Sequence, residues 1–205
     1  MDVDKTLKEI KKSFFLRMNG ETARSMREKG VSYHINWGIS LPDLRQMAER
    51  YPKDFNLAVA LWKEEIRECK ILALMLMPPE EMLPELVDIW MEQTHTQELA
   101  ELSAFYLYQY LDYASVIAFE WIATTNEMKQ ICGYNILSRL FTKGHEPDER
   151  GIQELLDQII VVLKDDDNTA VKRSAYACLQ RFSQLDKSFE MIVRQVMRIN
   201  NLDFL

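Results

Sequence analysis

The sequence predicts an all-α protein, a curved solenoid of helical hairpins with about ten to twelve helices, filling residues 1–205 as a single domain. Three observations predict it. Apolar residues recur at intervals of three and four along almost the whole chain, the period of a helix with one buried face. With 6 Gly and 6 Pro in 205 residues, the chain is too poor in turn residues for a sandwich or barrel that must reverse every 8–12 residues. Similar helical segments also return along the chain. CKILALMLM, AELSAFYLY, QICGYNILSRL and KRSAYACLQRF each run from polar through small to large. Their small anchors, Ala73, Ala104, Gly133 and Ala175, lie 31, 29 and 42 residues apart.

Taken in order, Leu7, Ile10, Phe14 and Phe15 place a first helix over 3–17. Ser40 and Asp43 form a capping-box pattern ahead of Leu41, Leu44, Met47 and Ala48, since a hydroxyl at the cap can accept from the third residue's amide. Asp54 caps a helix carrying Leu57, Ala58, Leu61 and Trp62, and Glu65–Met77 follows until Pro78 and Pro79 stop it, proline lacking the amide donor. Further helices are expected over Glu80–Met91, Thr94–Leu111, Tyr113–Thr124 and Met128–Phe141. Thr94, Asp112 and Asn126 are their expected caps. After the loop 142–148 come helices over 149–164, 169–182 and 186–199, with a tight turn at Asp165–Asn168. Ile159–Val162 sit inside a helix-length amphipathic window and are not read as a strand. Anchor spacings of this size are those of stacked HEAT-type hairpins, because one hairpin cannot cover its own apolar face.

Composition narrows the function classes. Hydrophobic residues make up 47% and charged residues 28%, which excludes a disordered or low-complexity chain. No apolar run reaches membrane-spanning length and Met1–Lys12 has no leader-like apolar core. Cys69, Cys132 and Cys178 are isolated and odd in number, so they read as reduced core thiols of a cytoplasmic protein. The net charge of −7 is uneven: residues 1–50 carry +3, residues 51–140 carry −8 and residues 141–205 carry −2. No Lys or Arg occurs in the 58 residues between Lys70 and Lys129. An acidic middle opposes phosphate binding there.

Tyr33-x-x-x-x-Gly38-Ile39-x-x-Pro42-x-Leu44-Arg45 and Leu61-Trp62-Lys63-Glu64-x-x-Arg67-Glu68-x-x-Ile71-Leu72-Ala73-Leu74 resemble the signatures of the DNA alkylation repair family, the AlkD-type DNA glycosylases. The resemblance implies a HEAT-like solenoid whose concave face grips duplex DNA. It implies excision of cationic alkylpurines such as 3-methyladenine and 7-methylguanine without flipping the base into a pocket. It also implies two tryptophans packed on the lesion sugar and one aspartate stabilising the oxocarbenium ion. The family's catalytic stretch, Trp-x-x-Val-Asp, falls on Gln97-Glu98-Leu99-Ala100-Glu101. Its Trp-x-Arg-Arg helix falls on Met128-Lys129-Gln130-Ile131, and its late tryptophan on Ala177 within Ser174-Ala-Tyr-Ala-Cys-Leu179. Both tryptophans and the arginines are replaced, and the aspartate position holds a glutamate one methylene longer.

The expectation that follows is a family member with an impaired active site, acting as a nucleic-acid- or protein-binding module. Two alternatives stand beside it: an active alkylpurine glycosylase using Glu101 as the catalytic carboxylate, with Glu98 a neighbouring acid, and a protein-interaction scaffold with no DNA role. The candidate DNA-binding residues are Lys129, Lys172, Arg173 and Arg181, with a second basic patch at Lys8, Lys11, Lys12, Arg24 and Arg27. Glu92-x-x-His95 is half of a di-iron pattern whose other half the sequence lacks. The aromatic run Phe105, Tyr106, Tyr108, Tyr110, Tyr113 and Phe119 reads as packing, because base-stacking platforms are interleaved with cations. No cofactor or metal is expected, and a monomer is.

Overall fold

The computed structural model describes residues 2–165 and 168–202. Twelve α-helices follow one another among them: α1 (Val3–Phe14), α2 (Gly20–Glu28), α3 (Leu41–Ala48), α4 (Phe55–Trp62), α5 (Arg67–Leu76), α6 (Pro84–Glu92), α7 (Gln97–Tyr106), α8 (Ala114–Ile122), α9 (Glu127–Thr142), α10 (Glu149–Lys164), α11 (Thr169–Ser183) and α12 (Lys187–Ile199). Short 3-10 turns occupy Pro79–Glu81 and Tyr108–Tyr110. No strand is present among the described residues; one isolated parallel bridge joins Ile35 and Ile66. No described helix is long and apolar enough to cross a membrane.

Caps start most of these helices where the sequence places them. Ser40, Asp54, Asn126 and Asn168 each accept the amide of the third residue on. Two expected caps move. Thr96, not Thr94, caps α7; the Thr94 hydroxyl instead donates to the Trp90 carbonyl at 2.9 Å, closing the end of α6. Tyr113, not Asp112, precedes α8, with no side-chain bond. The helix expected over Thr94–Leu111 breaks after Tyr106. Leu107, Tyr108 and Gln109 are all buried, so the apolar pattern continues through the break and cannot mark it. Helix α2 was not expected: Ala23 is its one buried residue, which leaves almost no periodic signal, and Asn19 supplies its cap. In the turn expected at Asp165–Asn168, Asp166 and Asp167 lie outside the described residues.

The chain forms two compact units, Met1–Leu107 and Tyr108–Leu205. In the first, α4 packs on α1 and α5, and α3 and α7 both pack on α5. In the second, α9 packs between α8 and α11, while α10 and α12 pack on α11. The small anchors are where hairpin stacking needs them. Ala73, Ala104 and Ala175 are fully buried, and Gly133 lies in the buried face of α9. A Cβ on Gly133 would stand 2.9 Å from the Ala118 carbonyl oxygen and 2.9 Å from Ile122 Cγ2, so α8 approaches α9 more closely than any side chain permits. Alanine is the better helix former by about 1 kcal/mol, yet Gly133→Ala is expected to destabilise the protein by about 1–3 kcal/mol through overpacking. Urea unfolding checks this; a variant as stable as the parent would show that α8 can retreat freely.

Cys69, Cys132 and Cys178 are all buried. Burial first, and the Glu64 charge second, push the Cys69 thiol up to about 12.

Candidate nucleic-acid interface

The motif residues of the first unit build a buried polar lock. Segment 32–40 contains no helix, so its backbone donors need partners from elsewhere. Glu68, fully buried at the start of α5, accepts from the amides of Trp37 at 3.1 Å and Ile39 at 3.2 Å. Arg67, 4% exposed, reaches the other way: its Nε and Nη2 donate to the two oxygens of Glu98 at 2.8 and 2.6 Å. Its Nη1 donates to the Ile39 carbonyl and to Glu68. Tyr33 donates its hydroxyl to Glu98 at 2.8 Å and accepts from Thr96. Burial opposes the Arg67 charge, but the bonds and charge of Glu98, then the Glu68 charge, outweigh it and raise its pKa. Burial, and then the Glu98 charge, raise that of Tyr33. Beside this lock Trp62 and Trp90 stack face to face, centroids 4.1 Å apart. Lys70 covers Trp62 and donates to its carbonyl. Arg67 and Glu68 therefore position α7 and the 32–40 segment, while Trp62 holds the end of α6 through Trp90 and Gln93.

Glu101 and Glu98, one turn apart on α7, have separate partners. Glu98 belongs to the lock, while Glu101 accepts from Gln97 Nε2 at 2.7 Å and is half-buried. Gln97, at the position where the resemblance implies a tryptophan, thus holds the side chain at the position where it implies the aspartate. Ala177 is exposed on α11, so no aromatic surface stands there. Glu92 ends α6. His95 lies in the α6–α7 connection and shares a cavity of about 70 Å³ with His34, without Glu92. Among the described residues no group of three or more His, Cys, Asp or Glu could hold a metal.

The four candidate cations fall in the second unit, on two packed helices. Lys129 is half-buried in the first turn of α9. Lys172 closes the first turn of α11, which contains no acidic residue, and Arg173 follows it directly. That placement matters because a helix N-terminus already carries partial positive charge. Two cations there oppose folding and favour an anion. Arg173, Ala177, Gln180, Arg181 and Gln184 make up one exposed stripe of α11. Arg173 and Arg181 are about 12 Å apart along it, from the rise per residue. Arg181 donates to Gln184 at 3.1 Å. It also lines a cavity of about 340 Å³ with Phe141, Thr142 and Gly144 at the ends of α9 and α11.

The tertiary structure supplies cations to the aromatic run that the sequence leaves bare. Arg45 of α3 donates to the Tyr106 hydroxyl, and its guanidinium stands 5.7 and 5.5 Å from the Phe105 and Tyr106 ring centres. In the second unit Lys143 covers the exposed Tyr110 ring at 4.3 Å. Burial first, and the neighbouring Arg139 second, lower the Lys143 pKa. Tyr108 is fully buried and meets the Trp121 ring edge-on, centroids 5.7 Å apart, as the packing reading expects. Arg45 is 61 residues from Tyr106, so no local spacing could have paired them.

The family model described as DNA alkylation repair enzyme matches residues 10–188. Among curated proteins, none matches the sequence. Among solved structures, the chain resembles a member of "a new family of proteins related to the HEAT-like repeat DNA glycosylases with affinity for branched DNA structures". The TM-score is 0.81 at 16% identity, over 94% of this chain and 82% of that one. The fold is therefore the all-α HEAT-like repeat.

Proposed function

This chain belongs to the DNA alkylation repair enzyme family, and from that premise we propose that it is a DNA-binding member that does not excise bases. The observation that carries the binding half is the acid-free first turn of α11, with Lys172 in it and Arg173 directly after it, on a helix packed against α9, which carries Lys129. Phosphate contacts from such groups supply affinity without sequence preference. The solved relative's affinity for branched DNA points to fork or junction substrates, and in this reading residues 1–205 act as one domain and as a monomer.

The non-catalytic half rests on Glu101. A carboxylate that stabilises an oxocarbenium ion must be held against the sugar. Glu101 is held by Gln97 instead, and it has an extra rotatable bond to order. Incubated with duplex containing 7-methylguanine, the wild type is expected to release no more base than Glu101→Gln. Release that is robust in the wild type and lost in a folded Glu101→Gln variant would establish an active glycosylase using Glu101. Undetectable binding to both duplex and fork DNA at low salt would overturn the DNA reading in favour of a protein-interaction scaffold.

A further inference from the structure

Next to the lock, whose Glu68 accepts from the Trp37 amide, an open groove of about 560 Å³ lies between α1 and the 35–37 segment. Its apolar wall is Phe15, Ile35, Trp37 and Ile66. Phe15, 61% exposed, meets the Trp37 ring edge-on at 4.8 Å, and the Trp37 indole nitrogen has no hydrogen-bond partner. Lys8, Lys11 and Lys12 line the other side, with Glu64 and Glu65. Both of these carboxylates are already compensated: Glu64 by Lys11 at 2.7 Å, Glu65 by Lys70 at 3.3 Å. Lys8 and Lys12 remain as the charges that a ligand would meet.

The volume is that of a ligand site. Leu16, 85% exposed, and Met18 follow Phe15 in the chain just past the end of α1, so exposed apolar side chains are not confined to the groove. Nucleic acid would satisfy the lysines and leave this apolar wall uncovered. Lys8 and Lys12 are one helical turn apart, about 6 Å along α1. Alternate residues of an extended peptide are about 6.6 Å apart, so two carboxylates at alternate positions match the two ammonium groups.

We propose that this groove docks an extended segment of a partner protein, in which one large apolar side chain fills the Phe15–Trp37 wall and carboxylates at alternate positions meet Lys8 and Lys12. This goes beyond the DNA reading, whose proposed contacts are Lys129, Lys172, Arg173 and Arg181, and assigns the basic patch of α1 to a peptide instead.

The test is selection of random twelve-residue displayed peptides on the full chain, followed by anisotropy titration of the enriched peptides. Enrichment is expected for a Trp, Phe or Leu near Asp or Glu at alternating positions. Lys8→Glu/Lys12→Glu, and separately Phe15→Ser, should each weaken binding at least about tenfold, with circular dichroism and Tm confirming that the variants fold. Lys172→Ala/Arg173→Ala should bind peptide like the wild type. No enrichment, enrichment of basic peptides, or affinity indifferent to charge reversal would overturn the proposal. So would displacement of the peptide by fork DNA together with loss of fork binding in Lys8→Glu/Lys12→Glu, because the groove would then serve phosphates. Binding of dodecanoate with no peptide selected would assign it to a small amphiphile instead.

Discussion

Arg67→Met is expected to destabilise the first unit by about 3–5 kcal/mol, the usual consequence of removing one partner from a buried ion pair. In a chain of this size that corresponds to a fall in Tm of at least about 6 °C. Arg67 compensates Glu68, which is fully buried, and Glu98, and it also binds the Ile39 carbonyl. Without it the buried Glu68 and the partly buried Glu98 lose their compensating charge and the 32–40 segment loses an anchor. Thermal melts of Arg67→Met, Glu98→Leu and the double variant distinguish the lock from simple packing. The double variant should recover part of the loss, because it removes one uncompensated charge. Equal and additive losses would mean that the pair is not coupled. The lock also has an alkaline limit. The folded pKa of Tyr33 is raised, so its contribution is complete below the ordinary tyrosine value of about 10 and is lost as pH rises from there towards the higher folded value. The wild type should therefore lose stability above about pH 10, and Tyr33→Phe should lose less over the same interval.

Replacing Lys172, Arg173 and Arg181 together with alanine should lower affinity for fork and duplex DNA at least about tenfold near 0.1 M salt. The dependence of log K on log salt should flatten by about two to three units, since each phosphate contact contributes close to one. Binding should weaken to a similar degree on unrelated sequences, because phosphate contacts carry no base information. Stability should hold or rise slightly in Lys172→Ala and Arg173→Ala, whose cations oppose the partial positive charge at the start of α11. An unchanged salt slope with unchanged affinity would remove α11 from the interface. Loss of affinity with an unchanged slope would point to misfolding instead.

The sequence by itself determined the class of fold, most helix starts and the small anchors. These are local properties: a cap needs only its own helix's third amide, as Ser40, Asp54 and Asn126 show, and a helix interior repeats every few residues. It also marked Gln97, Glu101 and Ala177 as departures from the resembled catalytic set. The bond from Gln97 to Glu101 is a pairing four residues apart on one helix. That Glu98, one turn away, enters the lock depends on how α7 is turned against α5. Helix α2 and the break after Tyr106 were missed for opposite reasons: the first buries too little to leave a period, and the second buries everything around it. Arg45 over Phe105 and Tyr106, Arg67 on Glu98, and the groove between α1 and Trp37 were decided by tertiary structure alone. Each joins residues from different helices or connecting segments, and the energy of such a contact depends on distance in space, which local sequence spacing does not contain.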